Sequence, residues 1–229
     1  YEIGVRLVGS EMCIRDRGSG GTYVMNDPTC LCKTEISPGK KRFAAVFSNL
    51  VQPPILDIPV LLLINMAADG GAGYAVSASV SLLFATVLPI AVVLYFSKKT
   101  GNDDGDIVRR EDRIFPLAVA GLIYLAGSVA LIAADAPDVT VAMMVSCLVC
   151  TAAVIPITMH WKISLHAMGI MCAAVALTWT FGPVGLLSLS VYPVAMWCRY
   201  VLGKHTPMQM AGGTALGAVL TSAVFFLVA

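Results

Sequence analysis

The sequence predicts an all-α bundle of six or seven membrane-spanning helices joined by short loops. Three observations carry that expectation. Of 229 residues, 58% are hydrophobic and only 13% are charged, about half the charged share of a typical soluble domain. The mean hydropathy is +0.82. Apolar segments of membrane-crossing length succeed one another along the chain, with most charged residues confined to the turns between them. A formal net charge of +1 supplies no basic field, which argues against nucleic acid as a partner. Seven cysteines are too few for a disulfide scaffold, and Cys147, Cys150, Cys172 and Cys198 lie inside apolar runs.

Residues 1–24 are expected to be a non-native or disordered leader. Tyr1 to Arg17 shows neither helical nor strand periodicity and resembles translated sequencing-adapter read-through, which makes Met25 the expected start. A signal peptide is the rival reading, but Glu11, Arg15, Asp16 and Arg17 interrupt the apolar core it would need. Residues 25–42 read as a polar N-terminal segment, with Cys30 and Cys32 as solvated loop cysteines. A single domain is expected over 43–229. Its first span, 43–67, is interrupted by Pro53, Pro54 and Pro59 and reads as an interfacial helix followed by a shorter span. Spans at 75–97, 114–134 and 139–159 come next. Segments 166–181 and 184–198 are short and separated by Gly182-Pro183, so they read either as two short spans or as one broken helix. A span at 206–228 closes the bundle, with Gly213 and Gly217 as a small-residue packing face.

Loop charges give the expected orientation. Outside the leader there are twelve Lys or Arg residues, and with seven spans all of them fall on the side of Lys33. The opposite loops carry Asp69, Asp135 and Asp138. Positive loops stay in the cytoplasm, so the chain is expected in the cell membrane with these loops inside. Lys33, Lys40, Lys41, Arg42, Lys98 and Lys99 alone give the same answer.

The same counting gathers the polar residues on one face. Arg109-Arg110-Glu111-Asp112-Arg113 precedes the third span, His160-Trp161-Lys162-Ile163-Ser164-Leu165-His166 lies two crossings later, and Arg199 with Lys204-His205-Thr206-Pro207 lies two crossings beyond. These segments hold all three histidines of the chain. Cations neutralise a phosphate, hydroxyls and amides bond it, and histidine moves protons or attacks phosphorus. Loop residues of these types also anchor helices at headgroups without chemistry.

Spacing favours the chemical reading. Ser164-x-His166, thirty-two intervening residues, then Arg199-x5-His205 resembles the type-2 phosphatidic acid phosphatase and haloperoxidase family, whose pattern is Lys-x6-Arg-Pro, then Pro-Ser-Gly-His, then Ser-Arg-x5-His-x3-Asp. The second motif reads here Ile163-Ser164-Leu165-His166, and the third reads Cys198-Arg199, five residues, His205 and then Gln209. The first is loose: Arg113-Ile114-Phe115-Pro116 stands at the Arg-Pro, with Arg109 or Arg110 in place of the lysine. The resemblance covers about Arg109 to Gln209. It implies a phosphohistidine on His205, His166 as the acid for the departing oxygen, and Arg199, Ser164, Arg113 and Arg110 holding phosphate, with no metal or other cofactor. Lys162 is either a further phosphate contact or a headgroup anchor.

Local chemistry fits those roles. Arg199 and His205 are about 600° apart on an ideal helix and cannot both face inward from one straight helix; Gly203 is placed to turn the chain between them. Thr206-Pro207-Met208-Gln209 reads as a helix start with threonine as N-cap, proline at N1 and glutamine at N3. Gln209 stands where the family has aspartate, and reads equally as a cap residue or as the orienter of His205, which it can bond through its amide oxygen. Asp57 falls within the interrupted first span, where an acid is a functional candidate, but after Pro53 and Pro54 it is expected near the interface; Cys147 and Cys150 are expected as packing residues. The expected function is hydrolysis of a lipid phosphate or isoprenoid (polyprenyl) diphosphate reached from the bilayer. The alternative is a weakened or inactive membrane protein that only binds anionic headgroups. A transporter is disfavoured by the scarcity of charge within the spans.

Overall fold

The structure, a computed structural model, describes residues 36–68, 73–99 and 113–229. Residues 1–24, Cys30, Cys32, Lys33, Asp69, Arg109 and Arg110 lie outside the described residues. Among the described residues the protein is all helical: α1 (Pro38–Leu50), α2 (Pro53–Ala68), α3 (Gly73–Leu82), a π-helical turn (Leu83–Val87), α4 (Leu88–Lys99), α5 (Ile114–Ala133), α6 (Asp138–His160), α7 (Leu165–Phe181), a 3₁₀ stretch (Gly182–Val191), α8 (Tyr192–Val201) and α9 (Pro207–Val228). Five helical runs are each long and apolar enough to cross a membrane, and α1 with α2, bent by 50°, count as a sixth where the pair is one broken span.

The break expected at Pro53-Pro54 is present, since neither proline can donate a helical hydrogen bond to the preceding turn. The first helix begins earlier than the hydropathy pattern indicates. Pro38 comes after Ser37 as a helix start and carries Lys40, Lys41 and Arg42 into α1, so the polar residues 38–42 belong to the first helix. Its inward positions are Ala44 and Ser48, one turn apart.

Residues 165–201 form a 37-residue apolar run, yet the chain reverses inside it. Gly182 has φ of 64°, a conformation that costs glycine little and other residues more. Gly185 then lies directly on the Leu177–Thr178 backbone. Ala195 and Met196 return to share a core cluster with Ala167 and Ile170 at the start of α7. The pair is therefore two antiparallel segments, with the correction that the second opens as a 3₁₀ helix over ten residues. Pro183, with no N–H to donate, and two glycines within four positions weaken regular α-helix there.

The return through α8 leaves α7 and α9 parallel and adjacent. Gly213 packs on the Ser164 carbonyl, and a Cβ at Gly217 would lie 2.6 Å from the Met168 carbonyl oxygen. One turn further, Thr221 donates to Cys172 Sγ at 3.1 Å. Both glycines therefore serve the close packing expected of a small-residue face. At the far end, Asn65 ties three helices together. It donates to Leu61 O at 2.8 Å and Ser81 Oγ at 3.4 Å, and accepts from Thr140 Oγ1 at 3.0 Å.

Candidate active site

The third motif is shaped by two consecutive caps. At the end of α8, Lys204 N–H donates to Arg199 O at 3.0 Å and Gly203 N–H to Tyr200 O at 2.9 Å. With Gly203 at φ of 64°, this paired pattern closes the helix and reverses the chain. Thr206 then caps α9: its hydroxyl accepts from Gln209 N at 3.3 Å, while Gln209 Oε1 accepts from Thr206 N at 3.1 Å. His205 sits between the two caps and is 1% exposed. Its Nδ1 lies 3.3 Å from Gln209 Oε1. Gln209 is thus both cap and histidine partner, joining the two alternatives that the sequence leaves open.

The second motif opens α7. Ser164 is fully buried and caps the helix by accepting from Ala167 N at 3.4 Å, and its own N–H donates to Gln209 O at 3.1 Å. That backbone bond holds the starts of α7 and α9 side by side. His166, one residue into α7, has Nε2 at 3.1 Å from Ser48 O. A carbonyl only accepts, so Nε2 carries a hydrogen. The Ser48 hydroxyl in turn accepts from Arg199 Nη1 at 3.1 Å. Ser48 therefore touches both motifs, from a helix that the motif pattern does not include. Its only sequence signal is its position four residues after Ala44 on the inner face of an amphipathic helix.

Arg113, His166, Arg199 and His205 all line one cavity of about 180 Å³ between α2, α4, α5, α6 and α7. Arg113 and Arg199 are 7% and 4% exposed, so two largely buried guanidinium groups and two largely buried imidazoles line the same space. There a phosphate would be held more strongly than in water. The lining continues inward as Val92, Val93, Leu117, Ala120 and Met143, with Asp57 and Tyr124 among them. Asp57 is 4% exposed and belongs to the cavity lining.

The remaining predicted residues are placed differently. Ser164 spends its hydroxyl on the α7 cap and is not part of the cavity lining. Lys162 is half-buried outside the lining. Arg110 lies outside the described residues. Cys147 and Cys150 line the cavity, and Cys150 Sγ is 3.8 Å from Cys172 Sγ. Among the described residues no group of three His, Cys, Asp or Glu side chains is arranged to hold a metal ion.

The chain matches no protein-family model, no curated protein and no solved structure.

Proposed function

We infer that the protein is a membrane phosphatase acting on a lipid phosphate or isoprenoid diphosphate through a phosphohistidine intermediate. The observation that carries this reading is the convergence of Arg113, His166, Arg199 and His205, drawn from three separate segments, on one cavity. The Gln209 oxygen, facing His205 Nδ1, favours the tautomer with hydrogen on Nδ1 and a lone pair on Nε2. Nε2 attacks phosphorus, forming the N–P bond as the P–O bond to the lipid breaks. The imidazolium of His166, held at Nε2 by the Ser48 carbonyl, gives a proton to the departing oxygen. Neutral His166 then takes a proton from water as that water attacks the phosphohistidine, releasing phosphate and restoring both rings. Arg199 and Arg113 neutralise the charge on the phosphoryl oxygens throughout.

The apolar depth of the cavity supports an amphiphilic substrate, since an acyl or prenyl chain would trail the phosphate inward. In this reading the protein is a multi-pass protein of the cell membrane with its site on the cytoplasmic side. Lys98, Lys162, Arg199 and Lys204 belong to the segments at the cavity end, and exposed Asp135 to the opposite turn. The test is phosphate release by purified protein from phosphatidate, lysophosphatidate and farnesyl diphosphate, with His205→Ala and His166→Ala in parallel. Release that is abolished by His205→Ala supports the reading. Release that survives His205→Ala overturns it, and headgroup binding without release favours a non-catalytic lipid-binding protein.

A further inference from the structure

Asp57 is an acid with no stated task in the phosphoryl transfer. It lines the same cavity as the two histidines and two arginines, it is 4% exposed, and its α2 neighbours toward the cavity mouth are Pro53 and Pro54. Among the described residues no hydrogen bond or ion pair joins its carboxyl group to another side chain, and its oxygens are not among the fully enclosed polar atoms, so they open onto the cavity. A buried carboxyl without a donor costs free energy whether it is ionised or not. Intramembrane acids of this kind generally mark the path or the site of a ligand.

The depth of Asp57 narrows what that ligand group is. Helices α2 and α7 both start at the cavity mouth, and the Pro53 ring packs where a Gly169 Cβ would be, 2.8 Å away. Gly169 is three residues below His166, and Asp57 is four residues below Pro53. At 1.5 Å per helical residue, Asp57 therefore sits about 10 Å deeper than His166. In an extended alkyl phosphate the atoms on carbon 2 or 3 are about 4–6 Å from phosphorus, and a hydrogen bond adds about 2.8 Å. A carboxyl reaching up from α2 meets a group at that position and not one at the tail.

We propose that Asp57 is a specificity-determining residue that accepts a hydrogen bond from a hydroxyl or ammonium group on the lipid backbone, two or three carbons from the phosphate ester. The proposal rests on the phosphatase reading for the position of the phosphate. Lipid phosphates carrying such a donor satisfy Asp57 on binding. A plain alkyl or prenyl chain leaves it buried and unpaired, and sites of this kind discriminate strongly against ligands that lack the donor.

The experiment uses full-length protein in detergent micelles with dodecyl phosphate and its 2-hydroxy and 2-amino derivatives, measuring equilibrium binding and phosphate release for each. Wild-type protein is expected to bind at least one donor-bearing compound about 10- to 100-fold more tightly than dodecyl phosphate. Asp57→Leu brings the three compounds within about threefold of one another. Asp57→Asn, nearly isosteric and safer for folding, keeps an accepting oxygen and so retains part of the preference for the hydroxyl compound, while the preference for the ammonium compound falls further because the charge partner is lost. Equal wild-type affinity for all three, or an equal loss on all three in the Asp57 variants, overturns the proposal. Binding that discriminates through Asp57 without phosphate release leaves the Asp57 assignment standing and removes the phosphatase reading. Release without discrimination does the reverse.

Discussion

Nδ1 of His205 lies 3.3 Å from Oε1 of Gln209, and the same oxygen accepts the Thr206 backbone N–H at 3.1 Å. One amide oxygen therefore both completes the cap of α9 and faces the imidazole. Glutamine does this without a negative charge. A carboxylate at the same place would stabilise the imidazolium and strengthen both contacts.

Replacing Gln209 separates the two tasks. Gln209→Glu keeps the reach and adds charge, so it should raise kcat by about tenfold, equivalent to about 1.4 kcal/mol. Because the carboxylate favours protonated His205, the acid limb of the pH–rate profile should move to higher pH. Thr206→Ala removes the hydroxyl of the cap alone and should lower stability by about 1 kcal/mol with kcat within a few-fold of wild type. Equal loss of kcat in Thr206→Ala and Gln209→Leu would assign Gln209 to the cap only. Thermal unfolding and pH–rate measurements on the same samples separate these results.

On the phosphatase reading, Ser48 positions Arg199, and its loss should appear in substrate binding. Ser48→Ala removes the acceptor of Arg199 Nη1 and leaves the backbone carbonyl facing His166. A hydrogen bond to a charged group contributes about 1.5–3 kcal/mol, so KM should rise about tenfold or more while kcat changes little. Steady-state kinetics provide the check, and a fall in kcat at constant KM would place Ser48 in the chemical step instead.

Close packing of α7 on α9 should be sensitive at one glycine, while a glycine on α5 should be tolerant. Gly213→Ala drives a methyl into the Ser164 carbonyl, whereas a Cβ at Gly121 meets only Thr151 Cγ2 at 3.9 Å. Gly213→Ala should cost about 1–3 kcal/mol, lower the melting temperature and disturb the Ser164–Gln209 backbone bond. Gly121→Ala should be neutral or slightly stabilising, since alanine is the better helix former. Melting curves of the two variants in the same detergent check this.

Orientation is testable on a cysteine-free background. Lys98 and Asp135 are both exposed and lie at opposite ends of the bundle. An impermeant maleimide added to intact cells should label Asp135→Cys and spare Lys98→Cys. The reverse pattern would put the site outside.

Much of this arrangement is legible locally. The N-cap sequence Thr206-Pro207-Met208-Gln209 and the Gly203 turn are short-range devices, decided by hydrogen bonds within a few residues, so they can be read along the chain. Helix lengths come from apolar runs for the same reason. The start of α1 is hidden because Lys40, Lys41 and Arg42 lower its hydropathy, although a helix needs only one inward stripe to pack. The 3₁₀ stretch is hidden because glycine and proline mark a break without specifying the conformation beyond it. Ser48 is not legible as a site residue, since its partners lie far along the chain and only packing brings them together, whereas Asp57 is legible only as an acid within a span, without its cavity neighbours. Ser164 shows the opposite limit: its motif spacing holds, but its hydroxyl serves the helix start.

The phosphatase reading depends on a covalent phosphate on His205. The direct measurement is rapid acid-free quenching of purified protein with a ³²P-labelled lipid phosphate, then detection of protein-bound label and its stability to acid and base. Label on a phosphohistidine should be acid-labile and base-stable. It should be absent in His205→Ala and accumulate in a variant where hydrolysis of the intermediate is slowed, such as His166→Ala with a good leaving group. Phosphate release at the wild-type rate with no bound label, or label that persists in His205→Ala, would contradict it.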